Sequence, residues 1–433
     1  MFVLLAICFR ASTSATVPTL APRSRPAEPT AALVQPLRRL LSNAEVDAIL
    51  GLLKEHAERD FTGLQRLSVR QLSAGIWRLA RVRWPAEDSL AALGSDKERE
   101  TLRLAARASV LASASYSAFG ALLVSWSPLR LIATAWRLLW GVRRLHETAF
   151  DIHARPLGLR SSDLLHAQWR PRREEGSGGP YTPAHYIVVD HAERAVVLVV
   201  RGSLDLSDVL TDLQVQPSRR EEGLLGRGCH GGMARAALCL AEAHEGLLRR
   251  ALREHRGYRL QLVGHSLGGG IASFAALLLR RRLRGVDVRA FAFAPPCTLP
   301  LRESARHGAR IDSFVYASDV VPRLSIGSLQ MLVDGVKLAQ AKAQGNTADG
   351  AADDRLLERH LLRCLRRPHQ NTRYPPGRLH QLVRVRRGEH QLRRLRRRDL
   401  ALLRMHRSMF RDHGFDRYQA ALAGLTRDVA CVL

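Results

Sequence analysis

Between about residues 181 and 321 the chain alternates short apolar, β-branched runs with amphipathic helical stretches, a pattern that few architectures accept. "HYIVVD", "AVVLVVRG", "YRLQLVG", "VRAFAFAPP" and "IDSFVYASD" read as strands, and "GGMARAALCLAEAHEGLLRRALREH" and "GGGIASFAALLLRRRL" as helices between them. Such alternation predicts an α/β fold with a mostly parallel central sheet flanked by helices. A last strand-like run, "RLHQLVRVRR", follows the polar stretch "AQAKAQGNTADGAADD", which has the composition of a mobile insertion.

The segments before this core differ in texture. Residues 36–150 carry apolar positions at three- and four-residue steps, as in "LLSNAEVDAILGLLKEHAERDF", and predict a helical region packing on the core. Residues 108–126 are uncharged and nearly long enough to cross a bilayer, but their serines and alanines favour a packed helix. Residues 1–35 open on a short apolar run and turn to Ser, Thr, Ala, Pro and Arg, reading as a targeting leader for a secretory route or a plastid.

Composition narrows the partners. At 433 residues, with 46% hydrophobic and 25% charged, the chain suits one α/β domain with appendages and excludes wholesale disorder. Its net charge of +27 is almost all arginine, since Lys54, Lys97, Lys337 and Lys342 are the only lysines. That charge follows from a GC-rich genome as readily as from a ligand, and in either case it attracts an anionic membrane surface at about 1 kcal/mol per basic residue. Nucleic acid is the weaker reading. "RRLRRRDLALLRMHR" has the charge, but no nucleic-acid fold accompanies it, and the run reads as a solvated amphipathic helix. The six cysteines show no CxxC pair, so neither a cysteine zinc site nor a dense disulfide framework is expected.

Chemistry concentrates in "LQLVGHSLGGGIASF". A GxSxG pentapeptide arises by chance about 0.15 times in a chain this long, so alone it says little. Here Gly264, His265, Ser266, Leu267 and Gly268 follow an apolar strand and open a helix, where a nucleophile elbow sits. Side chains at 264 and 268 would strike the neighbouring strand and helix. Ser266, held in that turn, stands at a helix N-terminus whose amides favour an oxyanion.

A serine hydroxyl needs a histidine to take its proton and a carboxylate to fix that histidine's tautomer. In this architecture acid and base follow the serine in the order Asp, His, at the carboxyl ends of later strands. Asp319, closing "IDSFVYASD", fits the acid; Asp287 and Asp312 precede their strands, and Asp334 sits in a helical stretch. For the base, His360 lies in an arginine-rich helix and His380 precedes its strand's apolar core, whereas His390, His406 and His413 all remain open on spacing. The strand ending at Arg201-Gly202-Ser203 offers the Ser203 amide as a second oxyanion donor beside that of Leu267.

These stretches, with "LGLRSSDLLHAQW", "CHGGMARAA", "SDVVPRLSIGSLQML", "YPPGRLHQL" and "MFRDHGFDRYQAAL", resemble the α/β-hydrolases of the class 3 lipase group, and most closely the sn-1-specific diacylglycerol lipases. "SYSAFG" also resembles the helix preceding the lipase core of those enzymes. The resemblance implies an α/β-hydrolase domain over residues 151–433 with Ser266 as nucleophile, Asp319 as acid and His413 as base. Ser203 and Leu267 would be the oxyanion donors and residues 339–372 a lid-like insertion. It implies hydrolysis of a glycerolipid acyl ester, foremost diacylglycerol, with a phospholipase A1 or galactolipid hydrolase as the alternative on the same fold. The enzyme would sit peripherally on a membrane and need no metal or organic cofactor. Calcium modulation stays open, although no EF-hand loop is present.

Overall fold

The structure, a computed structural model, describes residues 95–116, 150, 153–173, 181–202, 217–343, 350–386, 389–404, 406 and 408–430. The proposed leader and most of the helical region before residue 150 lie outside them. So do Ser203 and residues 117–126 of the uncharged stretch.

Among the described residues ten strands run in chain order: β1 (Leu164–Gln168), β2 (Arg172–Arg173), β3 (Tyr181–Thr182), β4 (His185–Asp190), β5 (Ala195–Val200), β6 (Arg259–His265), β7 (Val288–Phe293), β8 (Ile311–Tyr316), β9 (Arg378–Arg386) and β10 (Glu389–Arg394). Eight form one sheet in the order β1-β4-β5-β6-β7-β8-β9-β10, and β2 and β3 pair as a separate ribbon. The strands from β5 to β9 are parallel, in the register Val200↔Gly264 and Gly264↔Ala292.

The helices are α1 (Asp96–Ala114), α2 (Arg219–Leu225), α3 (Gly231–Glu254), α4 (Leu267–Arg282), α5 (Leu301–Arg306), α6 (Ile326–Ala343), α7 (Gly350–Arg366) and α8 (Phe415–Ala430). Two apolar layers result from the two-residue period of the strands. Val196, Leu198 and Val200 face a layer containing Met233, Ala237 and Leu240 of α3 and Ile271 and Phe274 of α4. Val197 and Val199 face the opposite layer, with Leu104, Ala108 and Leu111 of α1 and Tyr418, Ala421 and Leu422 of α8. Burial on both faces is why β5 reads as an unbroken apolar run. No helix among the described residues is long and apolar enough to cross a membrane.

The mostly parallel, helix-flanked sheet is the one expected, with three differences. "HYIVVD" runs antiparallel to "AVVLVV", because the residues between Asp190 and Ala195 are too few for the crossover a parallel pair needs. The sheet is also extended at both edges by antiparallel strands, β1 beside β4 and β10 beside β9. Third, "RRLRRRDLALLRMHR" is not an amphipathic helix. It begins in β10, passes through a 3-10 turn at Arg397–Leu400 and buries Leu400, Ala401, Leu402 and Leu403, so its apolar residues anchor a connection rather than form a helical stripe. In the expected insertion, α6 ends at Ala343 and α7 begins at Gly350, and these two helices pack on each other between β8 and β9.

Candidate active site

Ser266 occupies the tight turn joining β6 to α4, with φ 55° and ψ −131°. A non-glycine residue at positive φ is strained, and the surrounding backbone holds it there. A Cβ on Gly264 would collide with the backbone of Gly268, and one on Gly268 with the backbone of Val200 and Arg201. Both positions therefore need glycine, for the close approach expected of an elbow. Those contacts also show that the chain leaving β5 at Arg201-Gly202 runs directly against the turn. Leu267 is the first residue of α4, so its amide belongs to the first helical turn, whose N–H groups lack helical partners.

Asp319 is fully buried just beyond the carboxyl end of β8, after a turn in which Ala317 takes φ 41°. His413 ends a 3-10 turn immediately before α8. Its Nδ1 lies 3.1 Å from both carboxylate oxygens of Asp319, and its Nε2 lies 3.0 Å from Ser266 Oγ. With an acceptor on one side, the imidazole donates from Nδ1, which leaves Nε2 to accept the serine proton. Ser266, Asp319 and His413, distant in sequence, thus form one continuous relay at the carboxyl edge of the sheet.

The other titratable candidates go elsewhere. His390, on β10, lies 3.5 Å from Tyr316 Oη, and His406 pairs with Ser408 at 2.7 Å. His380 packs with Asp312 at 2.7 Å, Asp287 takes Arg289 and Arg310, and Asp334 accepts from Gln330 within α6. His360 lies 3.5 Å from the Cys364 sulfur.

Three side chains, Tyr418, His265 and Tyr116, support the relay by contacts that a reading of the sequence does not supply. Tyr418 of α8 donates to Asp319 Oδ2 at 2.5 Å, and the Val321 amide donates to Oδ1 at 2.9 Å. Burial, and then the Asp319 charge, push the Tyr418 hydroxyl well above its ordinary range, so it stays a donor. His265, inside the elbow, donates from Nε2 to the His413 carbonyl at 3.2 Å and accepts at Nδ1 from the Tyr116 hydroxyl at 2.9 Å. Burial and then the neighbouring His413 hold His265 well below the usual histidine range, so it is neutral. The sequence placed His265 only as a member of the elbow, whereas here it also ties the turn carrying Ser266 to the turn carrying His413. Tyr116 lies in "SYSAFG" and Tyr418 in "MFRDHGFDRYQAAL", but no local pattern marks either as a partner of residues 149 or 99 positions away.

Residues 197–328 match the family described as lipase (class 3). Mouse diacylglycerol lipase-beta is 33% identical over 192 residues, covering 43% of this chain and 27% of the mouse protein. Human diacylglycerol lipase-alpha is 32% identical over 160 residues, 35% of this chain and 15% of the human protein. The chain thus spans less than a third of the length of either relative. Among solved structures, the Rhizomucor miehei lipase propeptide complex aligns at TM-score 0.44 and 13% identity, over 78% of this chain and 91% of that one.

Proposed function

We propose that this chain, which belongs to the class 3 lipase family, is a serine hydrolase cleaving an acyl ester of glycerolipids, with diacylglycerol as the foremost substrate. The observation that carries the mechanism is the relay from Asp319 through His413 to a strained, elbow-held Ser266. The substrate class is supported by the names of the relatives, both diacylglycerol lipases.

Ser266 Oγ attacks the ester carbonyl as its proton passes to His413 Nε2, and Asp319 stabilises the imidazolium so formed. The tetrahedral oxyanion is held by the amides of Leu267 and Ser203, where losing one such donor costs about 3 kcal/mol. As the tetrahedral intermediate collapses, His413 gives the proton to the departing glycerol oxygen, which leaves as a hydroxyl. Water, deprotonated by the same histidine, then attacks the acyl-enzyme, and His413 returns that proton to Ser266 Oγ as the fatty acid leaves. The segment carrying α6 and α7, which leaves the sheet just after Asp319, is the proposed cover of the lipid cleft. The arginine-rich surface docks the enzyme peripherally on an anionic membrane.

The test is covalent labelling of the purified chain with a fluorophosphonate, combined with fatty-acid release from diacylglycerol, phosphatidylcholine and monogalactosyldiacylglycerol. Labelling lost in Ser266→Ala, with fastest release from diacylglycerol by the parent, is the expected result. A folded Ser266→Ala variant with full activity removes the mechanism, and faster release from either polar lipid removes the substrate assignment.

A further inference from the structure

Three histidines from three elements meet at the outer side of the sheet, apart from the Ser266 relay. His166 lies on β1, His185 opens β4, and His244 comes from the middle of α3. One ring nitrogen of each lies within 4.8 Å of those of the other two. The rings of His166 and His185 both sit 4.6 Å, centroid to centroid, from that of His244.

Hydrogen bonding inside the cluster does not satisfy it. His185 Nδ1 donates to the Pro183 carbonyl at 2.8 Å, so its Nε2 carries a lone pair, and that atom lies 2.6 Å from His244 Nε2. One N–H from His244 can serve that pair. His166 Nε2 is left buried with no partner, and so is the amide nitrogen of Gln168, which stands opposite His185 in the β1–β4 register.

We propose that His166, His185 and His244 form a binding site for a divalent transition-metal ion of the zinc class, joining β1, β4 and α3. Three imidazoles without a carboxylate favour zinc, copper or nickel over magnesium or calcium. The hydrogen bond from His185 Nδ1 to a backbone carbonyl is the outer contact that metal-bound histidines make, since it fixes the tautomer and aims the other nitrogen. Tetrahedral ligation at 2.0–2.1 Å places ligand nitrogens about 3.3 Å apart, so the rings of His185 and His244 turn slightly outward around the ion. Water completes the coordination.

The site has a structural purpose in this fold. His185 stands opposite Val200, and the Arg201 amide donates to the Ala184 carbonyl at 2.8 Å. An ion on His185 therefore braces the strand end from which the chain passes to Gly202 and the serine turn.

The experiment uses the full chain without an affinity tag, stripped with a chelator and dialysed, then titrated with Zn²⁺ by calorimetry and with Co²⁺ by visible absorption. One equivalent should bind, Co²⁺ should show tetrahedral, nitrogen-ligated bands, and Tm should rise with Zn²⁺ concentration. His166→Gln and His244→Gln should each weaken binding by at least about tenfold and abolish the Tm response, while Ser266→Ala should bind as the parent does. His166, on an edge strand, gives a reading even where the α3 substitution impairs folding. Failure of the folded parent to bind a stoichiometric equivalent, or unchanged affinity in a folded His166→Gln variant, overturns the proposal.

Discussion

Tyr418 Oη donates to Asp319 Oδ2 at 2.5 Å and accepts the Tyr316 amide at 2.9 Å, so one hydroxyl fastens α8 to the end of β8 and to the acid of the relay. Both side chains are fully buried. Tyr418→Phe removes a charge-assisted bond and orphans a buried amide, costing about 1–3 kcal/mol of stability. We expect kcat to fall about tenfold with KM nearly unchanged, read by steady-state kinetics beside a thermal melt.

Asp319→Asn preserves size but places an amide against His413 Nδ1, favouring the tautomer that cannot accept the serine proton. In proteases of this logic such a change costs about 10⁴ in kcat. A comparable loss here, with near-UV circular dichroism like the parent's, is the expected outcome.

Glycines separate into those the elbow needs and those it does not. Gly268→Ala drives a methyl group into the backbone of Val200 and should destabilise by more than about 3 kcal/mol. Gly246→Ala, in the middle of α3 with nothing within 4 Å of its Cβ, should instead stabilise by about 0.5–1 kcal/mol. Denaturant melts of the two variants give opposite shifts in midpoint.

Tyr116→Phe leaves His265 Nδ1 without its donor and loosens the ring that holds the His413 carbonyl. The expected effect is a severalfold lower kcat and about 1 kcal/mol less stability. Fluorophosphonate labelling should slow in proportion, because the same serine attack is being measured.

Acid should weaken the fold before any carboxylate titrates. Burial lowers His185 to about 4 and His230 and His244 to about 3, against an unfolded value near 6.5. Above pH 6.5 both states are neutral and this stability is intact. As pH falls toward 3 to 4 the unfolded chain takes up protons the folded chain refuses, costing up to about 1.4 kcal/mol per pH unit for each histidine. Chemical denaturation at pH 7.5, 6 and 5 should show a monotonic fall, and His230→Gln, at the N-cap of α3, should flatten it.

The sequence by itself determined what depends on neighbours in the chain. The six strand runs from "HYIVVD" to "RLHQLVRVRR" and the two long helices are legible because strand and helix periods repeat within a few residues. The turn carrying Ser266 is legible because strand, glycines and helix are contiguous, and Asp319 because it closes a strand. Spacing left His413 level with His390 and His406, and resemblance alone favoured it.

Tertiary structure decided the rest. It set the antiparallel pairing of β4 and the burial of Leu400 to Leu403. It also brought Tyr116 to His265, Tyr418 to Asp319, and His166 and His244 to His185. Those side-chain contacts join groups as far as 149 positions apart, and a single chain carries no local periodicity that records them. They exist only once burial on both faces of the sheet has fixed which helix lies over which strand end.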